Sequence, residues 1–361
     1  MRFDARIARV RRRMADLGVD VMLLSVGSDL PWLIGYEAMP LERLTMLVLP
    51  LEGAASLVLP RLEVPRVHAL PQGVEVIGWN ETDDPITLVA AMVATAATVA
   101  IGDHTWSRFV LALQQALPNR SWIDAGRVTS AVRMVKEPDE IAALQRAASA
   151  VDVVAEAMRA RPFAGRSEID IHRELVDRML ELGHQRANFA IVAAGENSAS
   201  PHHEPGERVV ANGELVLLDF GGTMDGYCSD ITRMFHVGEP SNEVLDLYSV
   251  LHAANAAGVA AGVVGAPCHA VDDAARAVIA AAGFGEWFVH RTGHGIGTEA
   301  HEEPYMVAGN DTLIEAGHAF SVEPGIYLPG RYGMRLEDIV VAAPDGPRLL
   351  NAAPRDLAVV G

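Results

Sequence analysis

Gly213-Glu214-Leu215-Val216-Leu217-Leu218-Asp219 and, later in the chain, Gly317-His318-Ala319-Phe320-Ser321-Val322-Glu323 follow one plan. In each, an acid stands six residues after a glycine, at the end of an apolar run that reads as a strand. A second acid follows each on what reads as the return strand: Asp230 in Ser229-Asp230-Ile231-Thr232-Arg233, and Glu337 in Arg335-Leu336-Glu337-Asp338-Ile339. The segments ahead of these stretches match as well. One half has a long helix to Arg161, a break at Gly165, a helix over 168–182, then Gly183 and strand material over 189–194. The other has a helix over 244–262, a break at Gly265, a helix over 269–282, then Gly283 and strand material over 287–290. Such an internal repeat predicts two hairpins related by a pseudo-twofold axis. Four carboxylates would then meet on a rigid sheet, as a metal site requires.

Between the two pairs of acids lies Gly293-His294-Gly295-Ile296-Gly297, followed by His301-Glu302-Glu303-Pro304. The flanking glycines let the backbone turn sharply and approach a ligand closely, and a neutral imidazole is a common metal ligand. An acid at the end of an apolar strand is costly to desolvate unless it is paired or bound to a cation. Asp219, Asp230, His294, Glu323 and Glu337 together point to a pair of divalent ions in oxygen-rich coordination. A water bridging such ions loses a proton near neutral pH and becomes the nucleophile. No serine or cysteine has a convincing base partner, and Cys228, near Asp230, reads as a packing thiol.

The 361 residues suggest two domains, and half of them are hydrophobic, enough for a sizeable core. A net charge of -18, from 29 basic and 47 acidic residues, argues against nucleic acid or an anionic membrane as the main partner. Two cysteines, Cys228 and Cys268, outside any CxxC fit a reducing, cytoplasmic compartment. The N-terminal residues lack an apolar targeting segment, and the uncharged runs 86–102 and 256–265 read as buried soluble segments. Residues 4–17 read as an amphipathic helix with Ile7, Val10, Met14 and Leu17 on one face. Strands over 19–25, 46–50, 55–60, 74–79, 98–102 and 121–124 alternate with helices over 87–94 and 107–117, which predicts a small α/β domain. Trp32, His68, Trp79 and Trp106 read as packing residues. A connecting helix over 125–136 precedes Glu137-Pro138, which opens the next long helix. The expected division is therefore 1–130 and 131–361.

These motifs resemble the creatinase/aminopeptidase, or pita-bread, metallopeptidases, most closely the Xaa-Pro dipeptidase (prolidase) and aminopeptidase P branch. The resemblance covers nearly the whole chain and is strongest over 217–235, 288–305 and 320–341. It implies an α/β (α+β) protein: a small creatinase-like N-terminal domain, then a pita-bread catalytic domain with a pseudo-twofold repeat. It implies that Asp219 ligates one metal, that Asp230 and Glu337 bridge both, and that His294 and Glu323 ligate the second. Glu323 would also shuttle a proton to the leaving amine, and His301 would steady the oxyanion at the scissile carbonyl. His202 would line the substrate pocket, with His203 as its competitor. His290 and Arg335 would shape the proline side, and Arg335 would hold a carboxylate or brace the ligands. For Tyr227 and Tyr327, in matching motif positions, packing is placed ahead of a direct role. His318 stands where the family often has methionine.

Implied further are two divalent ions per subunit (Mn²⁺, with Co²⁺ or Zn²⁺ as substitutes), a short proline-containing peptide as substrate, and a homodimer. The expected activity is Xaa-Pro dipeptide hydrolysis. Xaa-Pro aminopeptidase activity is the alternative, followed by hydrolysis or lysis of a small non-peptide molecule and by non-catalytic binding.

Overall fold

The computed structural model describes residues 2–361. The chain forms two compact units, one ending at Arg133 and one spanning Met134–Gly361. The first unit is a six-stranded mixed sheet in the order Val74–Trp79, Ala55–Pro60, Met46–Pro50, Val21–Leu24, Thr98–Ile101, Ser121–Asp124. Because strand side chains alternate between faces, Val21-Met22-Leu23-Leu24 serves two cores. Met22 and Leu24 pack with Ile7, Val10 and Met14 of the Arg2–Leu17 helix and with Val128 and Val132 of the Gly126–Arg133 helix. Val21 and Leu23 pack with Val89, Phe109 and Leu113 from the Pro85–Met92 and Ser107–Ala116 helices. Trp32 and Trp79 are buried as expected, but His68 and Trp106 are exposed, and Trp106 only stacks on Phe109. The short Asp29–Ile34 helix has no counterpart in the sequence expectation, because its apolar Leu-Pro-Trp-Leu-Ile run shows no period of its own.

The second unit contains the repeat. Arg186–Ala194, Leu215–Met224 and Ile231–Val237 form an antiparallel set. Gly293–Gly295, Ala319–Val322 and Asp338–Ala343 form a second antiparallel set in the same sequence order. A bridge between Thr232 and Glu337 joins the two sheets, with the Glu337 N–H donating to the Thr232 carbonyl. A separate hairpin, Gly325–Leu328 with Tyr332–Arg335, stands beside them. Each half has its helix pair: Pro138–Arg159 with Glu168–Glu181, and Asn242–Ala261 with His269–Ala281. The first pair buries Val151, Met158, Ile171 and Leu175 against Val192, Leu218, Phe220 and Phe235 of the sheet. The second buries Leu247, Leu251 and Ile279 against Leu215, Leu217 and Met334. Asn242–Ala261 is long and apolar enough to cross a membrane by length and composition, yet its apolar stripe is spent on this core.

Two expectations about the repeat need correction. Residues 287–290 form no strand: a 3₁₀ turn over Gly285–Trp287 leads into irregular chain, so the second half enters its sheet only at Gly293. Asp219 lies in the middle of the Leu215–Met224 strand rather than at its end, because apolar Phe220 and two glycines continue the pairing. Those glycines are there for space. A Cβ on Gly221 would collide with the Ser229 carbonyl oxygen, and one on Gly222 with that of Arg186. Gly221→Ala is expected to lower the unfolding free energy by about 1–3 kcal/mol, the usual cost of overpacking. Gly206→Ala, with nothing near the added carbon, should be close to neutral. Denaturant unfolding of both variants checks this, and equal losses would refute it.

Candidate metal centre

The two antiparallel sets deliver their acids to one place. Asp219 projects from mid-strand, Asp230 immediately precedes Ile231–Val237, Glu323 immediately follows Ala319–Val322, and Glu337 lies between Arg335 and the Asp338–Ala343 strand. His294 is the central residue of Gly293–Gly295. Its glycine neighbours serve close packing rather than a sharp turn. A Cβ at 293 would strike the Ser321 carbonyl oxygen and one at 295 that of Glu303, and neither glycine has a positive φ. The His294 N–H donates to Ser321 Oγ at 3.0 Å, and Ser321 Oγ donates to Glu323 Oε1 at 3.3 Å. A single serine thus aligns two candidate ligands.

His294 Nδ1 lies 3.1 Å from the Gly295 carbonyl oxygen, which can only accept, so Nδ1 carries the proton and Nε2 keeps its lone pair. That Nε2 is 3.3 Å from Glu323 Oε1 and 3.8 Å from Asp230 Oδ2. Three overlapping sets have ligand atoms within 4.8 Å of one another: Asp219/Asp230/Glu337, His294/Glu323/Glu337 and Asp230/His294/His301. All five sequence-selected residues converge, and His301 joins them with its ring centroid 3.8 Å from that of His294.

Whether these residues suit cations is decided by their unpaired atoms. Asp219 Oδ1, Asp230 Oδ1 and Glu337 Oε1 are buried without a hydrogen-bond partner among the described residues. Such groups are normally satisfied, since an unpaired buried carboxylate is heavily penalised. Burial, reinforced by Glu337, Asp219 and Glu323, raises the Asp230 carboxyl well above the usual carboxylate range. Burial and the charges of Glu323 and Asp219 do the same to Glu337. Burial pushes Glu323 up to about 7, although Arg335 opposes it. Burial, and then His301, lowers His294 well below the ordinary imidazole value. Acids that resist losing their protons beside an imidazole that resists gaining one are what divalent cations stabilise.

Arg335 braces the cluster. Four of its five N–H groups donate: to Asp219 Oδ2, to Thr232 Oγ1 at 3.2 Å, to the Pro201 carbonyl at 3.3 Å and to Tyr327 Oη at 2.7 Å. Tyr327 Oη donates in turn to His290 Nε2 at 2.8 Å, and His290 Nδ1 donates to the Arg291 carbonyl at 2.7 Å. Burial pushes His290 down to about 4, so it is neutral and the proton order of this chain is settled. Tyr327 therefore links Arg335 to His290 instead of merely packing. Tyr227 is a packing residue whose hydroxyl donates to Glu140 Oε1 at 2.8 Å.

The cluster opens into a cleft of about 1230 Å³ whose wall includes Phe189, Ile191, His202, His290, Arg291 and His301. His202 is exposed on that wall. His203 is half-buried, with Nε2 donating to Glu168 Oε2 at 2.8 Å, so the neighbouring histidines have different surroundings. Next to His301 in sequence, Glu302 Oε1 forms a buried ion pair with Lys136 Nζ at 2.6 Å. Sequence reasoning missed Ser321, Arg291 and the linking role of Tyr327. The one local signal for Ser321 was a hydroxyl within the otherwise apolar run Ala319–Val322.

The model of Metallopeptidase family M24 matches residues 142–344, and that of the Creatinase/Prolidase N-terminal domain matches 6–135. The chain belongs to metallopeptidase family M24. It is 42% identical over 369 residues to a probable dipeptidase PepE of Mycobacterium tuberculosis, covering 99% of this chain and 98% of that protein. The crystal structure of dipeptidase PepE from Mycobacterium ulcerans superposes with a TM-score of 0.93 at 41% identity, over 99% of this chain and 98% of that one. A prolidase from Thermococcus sibiricus gives 0.92 at 33% identity, over 100% of both chains. This M24 chain therefore has the expected creatinase-like N-terminal domain and pita-bread domain, and it is a metallopeptidase of the dipeptidase and prolidase kind.

The raised carboxyls have a thermodynamic consequence. Between about 4.5 and 7, unfolded Glu323 loses its proton while the folded residue keeps it, so its contribution to stability is lost as pH rises through that window. In chelator-treated protein, Glu323→Gln is expected to flatten the fall in melting temperature between pH 5 and 7, at the margins of that window. Parallel melting curves for the variant and the parent would contradict the assignment.

Proposed function

We propose that this chain is a dinuclear metal-dependent peptidase that hydrolyses the Xaa-Pro bond, with dipeptides as its preferred substrates. The observation that carries the reading is the convergence of four carboxylates and an imidazole in the cleft, with a buried, unpartnered oxygen on each of Asp219, Asp230 and Glu337 among the described residues. Asp219, Asp230, His294, Glu323 and Glu337 would hold the ions. Four carboxylates and one imidazole favour a hard ion such as Mn²⁺, with Co²⁺ or Zn²⁺ able to substitute. When bound, such ions supply a hydroxide nucleophile at neutral pH and polarise the scissile carbonyl.

The chain's own residues do the rest. Glu323 receives the proton lost by the attacking water and passes it to the departing proline nitrogen. His301 Nδ1 faces Arg291 Nη2 at 3.5 Å, which orients Nε2–H as the donor toward the developing oxyanion. His202 and His290 line the pocket, and Arg335 keeps Asp219 aimed at the cluster. An Xaa-Pro bond is a tertiary amide with no N–H to grip, so a site working through the carbonyl and the amine suits it.

Two observations support a dipeptide over a longer peptide. Relatives at 42% and 33% identity are called a probable dipeptidase and a prolidase. The cleft also contains a cation suited to a free carboxylate. Arg291 lies over the Tyr305 ring at 4.2 Å, and among the described residues it pairs with no carboxylate, whereas Arg335 is committed to Asp219. The alternative, Xaa-Pro aminopeptidase activity, is supported by likeness to the X-Pro aminopeptidase of Thermotoga maritima, with a TM-score of 0.83 at 29% identity. A cytoplasmic setting fits two buried free cysteines. The homodimer rests on the family resemblance, and a solution mass twice 38.6 kDa would support it.

Chelation is expected to abolish turnover, and reloading with Mn²⁺ to restore it with two ions per chain. Asp230→Ala should lose activity, and full turnover by that variant would refute the reading. Arg291→Ala should raise KM for Xaa-Pro dipeptides about tenfold, the worth of roughly 1.4 kcal/mol, and leave KM for Xaa-Pro-Yaa tripeptides unchanged, while the lost contact with His301 lowers kcat for both alike. Equal changes in KM for both substrates would favour the aminopeptidase.

A further inference from the structure

Glu168 is the first residue of the Glu168–Glu181 helix and belongs to none of the candidate ligand sets, and its side chain is fully buried. Four donors converge on its carboxylate. Oε1 accepts from the Ala194 N–H at 2.8 Å and from Asn197 Nδ2 at 3.0 Å. Oε2 accepts from His203 Nε2 at 2.8 Å and from the Gly206 N–H at 3.4 Å. The donors come from both ends of one segment: Ala194 closes a sheet strand, and Gly206 leads back to the helix start, where its carbonyl accepts the Ile169 N–H. Between these anchors lie Ser200, Pro201 and His202, which line the cleft. The Pro201 carbonyl also receives Arg335 Nη1. Beyond a 3₁₀ turn over Gly195–Ala199 the segment has no regular structure, and such chain is among the more mobile parts of a fold unless tied down. Here one carboxylate ties both ends, and the positive end of the helix dipole favours its charge.

We propose that Glu168 is a positioning residue for substrate binding. It holds segment 194–206 against the helix start, so that His202 and the Pro201 carbonyl are fixed on the cleft wall before substrate arrives. His203, which also lines the cleft, belongs to this clamp through its Nε2. The proposal rests on the peptidase reading for its kinetic consequence alone. Preorganisation of this kind affects substrate affinity, because none of the five candidate ligands lies on the segment.

The test combines kinetics with hydrogen exchange on full-length, Mn²⁺-loaded protein. Glu168→Gln replaces an acceptor oxygen with a donor facing donors. It is expected to speed amide exchange across 194–206 and raise KM for Xaa-Pro dipeptides about tenfold, with kcat within about threefold and two ions still bound. His203→Leu removes one donor and should change both readouts in the same direction, while His203→Gln, which keeps an N–H, restores them. His203→Leu also keeps the test open if Glu168→Gln fails to fold. Unchanged exchange in the segment would overturn the proposal, as would a fall in kcat or metal content at constant KM. If the parent protein cleaves no Xaa-Pro peptide, the functional reading fails while exchange still decides the clamp.

Discussion

The burial of several carboxylates side by side is the constraint on which this molecule depends. Asp219, Asp230 and Glu337 each bury an oxygen with no hydrogen-bond partner among the described residues, and burial, reinforced by the neighbouring carboxylates, raises Asp230 and Glu337. A fold does not retain such an arrangement for stability, because apolar residues of similar size would pack with less cost. It suits the cations on which a metallopeptidase depends. The rigid antiparallel sets on either side of the Thr232–Glu337 bridge keep the acids from separating to relieve the strain.

That rigidity has identifiable sources. At Gly221 and Gly293 the chain passes so close to Ser229 and Ser321 that no side chain fits, so the strands carrying the acids are locked against neighbouring backbone. Arg335 neutralises part of the charge through Asp219 and extends its hold through Tyr327 to His290. Lys136 and Glu302 form another buried pair. Removing one partner of a buried pair strands the other charge, so these contacts hold geometry more than they add net stability.

The paired histidines illustrate how side chains of one type divide between tasks. His202 and His203 are adjacent and nearly equivalent on paper, yet the first is exposed on the cleft wall and the second is held by Glu168. Likewise Arg291 and Arg335 share one cleft, but Arg335 is paired with Asp219, whereas Arg291 pairs with no carboxylate among the described residues and lies over the Tyr305 ring.

Much of this was legible in the chain itself. Strand and helix patterns depend on residues a few positions apart, so Met46–Pro50, Ala55–Pro60 and Ser121–Asp124 could be bounded from the sequence alone, as could the helix breaks at Gly165, Gly183, Gly265 and Gly283. The repeated glycine-to-acid spacing also pointed to the residues that converge at the centre. The tertiary structure alone decided what those residues touch. Arg335 and Asp219 lie 116 positions apart, and Glu168 reaches across 35 to His203. No local period records such distances. The irregular chain over 287–290 and the mid-strand place of Asp219 were hidden for the same reason: whether a short apolar run becomes strand depends on the neighbour it finds.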